Sequence, residues 1–105
     1  MFSEETIRKV WQKGRARNDR AGELWRQDEC GAWMHRPRYG DASAEFGWKI
    51  DRTSVGGEND VDGLRPFHVA NSYDIANGRP HCRVTADRSG LGGDAHTEEP
   101  RNRTL

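Results

Sequence analysis

The sequence predicts a small α+β domain: an N-terminal helix, a strand hairpin, a short second helix and a disordered C-terminal tail. Three observations predict it. Ile7, Val10 and Trp11 recur at i, i+3 and i+4, one apolar stripe on a helix. Trp48 and Ile50 alternate with Lys49 and Asp51, the period-two signature of a half-buried strand. After Asp87 the chain carries Gly, charges and almost no apolar side chains, too little to offset its ordering entropy. The 105 residues admit one domain with tails. Leu, Ile, Val and Phe number only 15, so the four Trp (Trp11, Trp25, Trp33, Trp48) are expected to carry the core.

Taken in order, the first helix spans about 3–13: Ser3 caps it, Glu4 and Glu5 favour its positive end, and Gly14 ends it. Residues 14–23 hold turn formers without periodicity and read as a loop. Around Trp25, Cys30, Ala32 and Met34 the pattern alternates until Pro37 and Gly40 interrupt it, which places a strand at about 30–35. The strand at Trp48–Asp51 follows, then a turn-rich loop from Gly56 and Gly57 to Gly63. Leu64, Pro66 and Phe67 lead into a segment that suits a helix of two turns ending near Asn77-Gly78. Val84 sits in a last extended piece, and 88–105 is the tail.

Cys30 and Cys82 lie 52 residues apart without a CxxC pair, so they read most simply as reduced core thiols, with a single disulfide geometrically open. No apolar run approaches the roughly 18–20 residues of a membrane helix, and the N-terminus lacks a signal-peptide core. The expectation is a cytoplasmic protein with no membrane partner.

The formal charge is zero, with 17 basic and 17 acidic side chains, yet it is unevenly placed. Residues 8–20 hold six basic residues and one acid, and 14 of the 17 basic residues are Arg, suited to phosphate or carboxylate. Arg8, Lys9, Lys13, Arg15 and Arg17, with Arg52 and Arg65 further along, are the nucleic-acid-binding candidates; a solvated helix face is the competing reading of the first five.

RQDECGAWM, YG, FGWKID, GGEND, LRPFH and HCRV follow one another across about residues 25–87. In this order and spacing the chain resembles a subgroup of the HNH endonuclease family. The resemblance implies a ββα-metal core at about 29–78 inside an HNH-like domain of residues 1–87. It also implies a site in which an Asp binds a divalent metal, the following His is the general base, an Asn braces that His, and a helix residue completes the metal shell. Carried over, Asp51 matches the metal-binding Asp. The base position is Arg52, which cannot be deprotonated. The bracing position is Gly63, and the helix ligand is Ser72, a poor donor for a hard cation.

The resemblance thus points to a catalytically degenerate domain that binds nucleic acid or a protein partner, with no cofactor. The first alternative is an active, divergent DNA endonuclease using Mg²⁺, Mn²⁺, Ni²⁺ or Zn²⁺, with a relocated site built on Asp51, His68 and Asp74. The second is a phage- or defence-related interaction module or inhibitor, which the zero net charge favours over general DNA binding. Against the relocated site stands His68 as a hydrogen-bonding structural residue. Asp51 is expected to pair with Arg52 or Arg65, and Arg52 either binds phosphate or forms a salt bridge. Trp33, Trp48 and Phe67 read as core rather than as base-stacking surfaces.

Overall fold

The structure, a computed structural model, describes residues 2–17, 21–54, 61–87 and 100–105. It contains α1 (Glu4–Trp11), β1 (Trp25–Gln27), β2 (Trp33–His35), β3 (Trp48–Arg52), β4 (Leu64–His68), β5 (Ser72–Asp74), β6 (Arg79–His81), β7 (Val84–Ala86) and β8 (Asn102–Thr104). Short 3-10 turns at Arg36–Arg38 and Val61–Gly63 directly follow β2 and directly precede β4, respectively. The strands pair as four separate antiparallel two-stranded sheets: β1 with β2, β3 with β4, β5 with β6 and β7 with β8.

The first helix forms as its sequence dictates. The Ser3 hydroxyl accepts from the Thr6 amide at 3.1 Å, Glu4 and Glu5 occupy the first turn, and Ile7, Val10 and Trp11 are buried. Lys13, just past the helix, donates its ammonium to the carbonyls of Val61 and Leu64, the latter at 2.8 Å. Arg26 holds the following loop from β1, donating to the carbonyls of Gln12, Gly14 and Gly22, each at 2.9 Å.

Ile7, Trp11, Met34 and Trp48 form the core, with Phe2, Tyr39 and Ile50 packed against it. Trp48 is fully buried between Trp11, at 5.0 Å between ring centroids, and Tyr39, at 4.9 Å. A second aromatic group surrounds Trp25, which stacks on His35 at 4.3 Å and meets Phe46 edge-on at 5.0 Å. Gly47 permits the approach to β3: a Cβ there would lie 1.9 Å from the Asp41 carbonyl oxygen, a distance no side chain tolerates.

A buried polar node joins the hairpins. Asp28, 2% exposed, accepts from the amides of Cys30 and Ala32 through Oδ1 and from the His68 amide and the Asn71 side chain through Oδ2, all at 2.9 Å. Asn71 is wholly buried; its Oδ1 accepts from the Arg83 and Val84 amides at 2.7 and 3.0 Å, and its Nδ2 also donates to the Val84 carbonyl at 3.1 Å. Two side chains thereby fasten the 28–32 loop, the end of β4 and the start of β7.

Four expectations are corrected. The domain has no ββα-metal core: it is a small β-rich fold of four hairpins with one short helix, and the segment expected to be the second helix is the β5–β6 hairpin. Its turn explains why. Asp74 accepts from the Asn77 amide at 3.2 Å and the Asn77 side chain at 2.7 Å, and Gly78 takes a φ of 65°, so local hydrogen bonds and a left-handed residue displace helix formation. Residues 102–104 are not a disordered tail but β8, paired with β7 and tied inward by Asn102, whose side chain exchanges hydrogen bonds with the Trp33 amide and carbonyl at 2.8 and 3.0 Å. The rest of that tail, 88–99, and the Gly56-Gly57 loop lie outside the described residues. Cys30 and Cys82 are disulfide-bonded rather than reduced, linking the 28–32 loop to the end of the β5–β6 hairpin. β1 adds a strand that the pattern from 30 to 35 did not predict.

Candidate functional site

The antiparallel β3–β4 pair places the residues the sequence singles out. Its register sets Asp51 opposite Arg65, Arg52 opposite Leu64, and Trp48 opposite His68. Thr53, next to Arg52, donates its amide to the Gly63 carbonyl at 3.0 Å. The Asp51 carboxylate accepts from the Tyr73 amide at 3.1 Å, bringing β5 and Ser72 alongside. The structure therefore gathers Asp51, Arg52, Gly63 and Ser72 at one end of the hairpin, with Ser72 on a strand instead of a helix.

Each of these side chains for which a contact is seen is engaged within the fold. Asp51 is committed to the Tyr73 amide and lies 3.9 Å from the Lys49 ammonium. It does not pair with Arg65, which instead binds Glu29 through one nitrogen at 2.8 and 2.9 Å and covers the Tyr73 ring at 5.3 Å. Arg52 lies over the Phe2 ring, 5.8 Å from its centroid.

The relocated site of Asp51, His68 and Asp74 is not assembled. Successive strand residues alternate faces, so His68, opposite Trp48, points away from the face that carries Asp51, and the two lie roughly 10 Å apart along the strand. Both His68 nitrogens are in use: Nε2 donates to the Glu45 carbonyl at 2.6 Å and Nδ1 accepts from the Ala70 amide at 3.0 Å, which requires the neutral Nε2–H tautomer. Asp74 is turned to Asn77, whose side chain and amide, with the Arg79 charge, hold its carboxyl below the ordinary value. Among the described residues no three His, Cys, Asp or Glu side chains come together as a metal-holding group.

The basic candidates divide. Lys9 forms an i,i+4 pair with Glu5 at 3.2 Å, Lys13 is spent on two carbonyls, and Arg65 on Glu29. Arg8 and Arg15 remain exposed and Arg17 half-buried. Sequence reasoning missed a second basic surface. In the β7–β8 pair Arg103 lies opposite Thr85; the ladder continues through Leu105 to Arg83 at one end and Asp87 to Arg101 at the other. By the two-residue period Arg83, Arg101 and Arg103 share one face with Asp87, which stands opposite Arg101, and all three arginines are exposed. The ion pairs among the described residues use Lys9, Arg36, Lys49 and Arg65 as cations and none of these three. The signal was present as the alternation Arg-Asn-Arg-Thr after Pro100, hidden by a composition that reads as disorder.

Comparison with family models, with curated proteins and with solved structures returns no match. Among the described residues no helix is long and apolar enough to cross a membrane.

Proposed function

We propose that this domain binds DNA through its phosphate backbone and does not cleave it. The observation that carries the reading is the face of Arg83, Arg101 and Arg103 on the terminal hairpin, three exposed guanidinium groups aligned by the sheet register. The resemblance to the HNH family contributes the ligand class, and Arg52 in the place of the general base argues against hydrolysis.

Fluorescence anisotropy with a labelled duplex tests it. Affinity is expected to fall steeply between about 50 and 200 mM salt, and the Arg83→Gln/Arg101→Gln/Arg103→Gln variant is expected to lose most of it. Supercoiled plasmid incubated with Mg²⁺, Mn²⁺, Ni²⁺ or Zn²⁺ is expected to stay intact. Nicking abolished by Asp51→Ala would establish the endonuclease alternative instead, and a chain without DNA affinity would point to a protein partner.

The Cys30–Cys82 disulfide weighs against the cytoplasmic address expected from the sequence. Disulfides persist in oxidising compartments and are rare in the cytosol, so thiol labelling in intact cells bears on it directly. Free Cys30 and Cys82 would support the cytoplasm, and a protected pair would overturn it.

A further inference from the structure

A cavity of about 310 Å³ opens where the loop after α1 meets the end of β1 and the middle of β4. Lys13, Arg15, Glu29 and Arg65 are the charged residues of its outer wall, and Asp28 lies at its base. The Asp28 carboxylate is turned inward, consumed by four hydrogen bonds to Cys30, Ala32, His68 and Asn71. Three cations therefore line an opening in which, among the described residues, Glu29 is the only exposed carboxylate.

Glu29 is an imperfect occupant. Both its oxygens converge on a single Arg65 nitrogen, Nη1, and do not match the guanidinium fork with two parallel bonds. The pair is exposed on both sides, 41% for Arg65 and 36% for Glu29, so little free energy holds it closed. Lys13 commits two of its three ammonium donors to the carbonyls of Val61 and Leu64, which fixes the charge at the cavity edge. Arg15 is held by its backbone, exchanging hydrogen bonds with Gln27 at 2.7 and 2.9 Å, and its exposed side chain belongs to the wall.

We infer that this cavity is a phosphate-monoester site, in which the ligand dianion takes Arg65 from Glu29 and is flanked by Arg15 and Lys13. A monoester carries about −1.5 to −2 charges and three acceptor oxygens, enough to engage the Arg65 fork and a second cation together, which one carboxylate cannot do. The volume lies at the lower end of small-molecule sites, the size class of a mononucleotide. The ligand chemistry has two sources, a free nucleotide or the phosphorylated end of a nucleic acid. The inference does not rest on the DNA-binding reading, because free nucleotide binding is measured with no nucleic acid present.

Titration calorimetry of the full chain with adenosine 5′-monophosphate, and with adenosine as its uncharged control, tests it. Saturable binding of the monophosphate and none of adenosine is expected. Glu29→Gln removes the competing carboxylate and is expected to tighten binding by about threefold, the scale of an exposed ion pair. Arg65→Gln is expected to weaken it by roughly tenfold. Arg15→Gln, whose side chain makes no hydrogen bond among the described residues, should weaken it without disturbing the circular dichroism spectrum. A 5′-phosphorylated oligonucleotide that outcompetes the monophosphate, where its 5′-hydroxyl twin does not, would identify a nucleic-acid end as the source; failure to compete would identify the free nucleotide. Absence of saturable monophosphate binding by both the wild type and Glu29→Gln, or weaker binding by Glu29→Gln, would overturn the assignment.

Discussion

Asp28 fastens its own loop to the end of β4, because three backbone amides and the Asn71 side chain converge on its carboxylate. Replacing it with Ala would leave those buried donors without their acceptor, each loss costing about 1–3 kcal/mol. Asp28→Ala is therefore expected to lose on the order of 3 kcal/mol or more in urea unfolding, and Asn71→Ala a similar amount; a loss below about 1 kcal/mol would show that the loops rearrange to supply other partners. A second prediction concerns pH. Burial against Trp25 lowers the His35 pKa below its ordinary 6.5, and the nearby Arg38 charge lowers it further. The unfolded chain then binds a proton at higher pH than the folded one, so stability falls as pH drops through about 6.5 and stops falling below the folded pKa. The chemical midpoint of His35→Gln should change less between pH 7.5 and 5 (values chosen to bracket about one unit on either side of the free imidazole). Neither residue was legible as important from sequence. Asp28 and Asn71 have no periodicity to mark them, and the bonds that join Asp28 to His68 and to Asn71 span 40 and 43 residues.

At the scale of elements, the parts set by local chemistry were legible and those set by distant contacts were not. The first helix announced itself through Ser3, the acidic first turn and the Ile7, Val10, Trp11 stripe, all of which act within one or two turns. The β3 strand announced itself through alternation over Trp48–Asp51. The β5–β6 segment reads as helix from sequence because Asn77-Gly78 serves equally as a helix stop and as a hairpin turn, and the Asp74–Asn77 hydrogen bonds decide for the turn. At the candidate site, the β3–β4 register and the Tyr73 amide set Asp51, Arg52, Gly63 and Ser72 at one end of the hairpin, while the His68 ring nitrogens meet the Glu45 carbonyl and the Ala70 amide, as the hydrogen-bonding reading of that residue has it. The terminal strand was hidden because three residues cannot bury enough surface alone. It exists through β7, through the Asn102 bonds to Trp33, and through the anchoring of β7 by Asn71. Deleting 100–105 should consequently destabilise the domain by about 1–3 kcal/mol, since the deletion leaves the Trp33 backbone groups without the Asn102 partner. A disordered tail would be removed at no cost, so an unchanged thermal midpoint would refute the strand.

For the whole molecule, zero net charge is a poor guide to the surface that a partner meets. Of the 17 basic side chains 15 lie in the described residues, but only 11 of the 17 acidic ones do, an excess of four positive charges; the balance is restored by acids in 18–20, 55–60 and 88–99. Within the described part, pairing removes further cations from view: Lys9, Arg36, Lys49 and Arg65 face carboxylates, and Lys13 faces carbonyls. Arg8, Arg15, Arg38 and Arg79 are exposed on other elements, whereas Arg83, Arg101 and Arg103 share one face of a single hairpin, which Asn71 ties to the buried node. That concentration gives the DNA-binding proposal a quantitative signature. Each phosphate neutralised releases counterions in proportion, so three arginine contacts predict a slope of log affinity against log salt of roughly −2.7 on duplex DNA. Single substitutions Arg83→Gln, Arg101→Gln and Arg103→Gln should each reduce that slope by about one and weaken binding to unrelated sequences alike, because phosphate contacts carry no base information. The substitution Arg8→Gln on the first helix serves as the comparison: an equal loss of slope there would move the binding face from the terminal hairpin to the helix, and a slope near zero for the wild type would remove DNA as the ligand altogether.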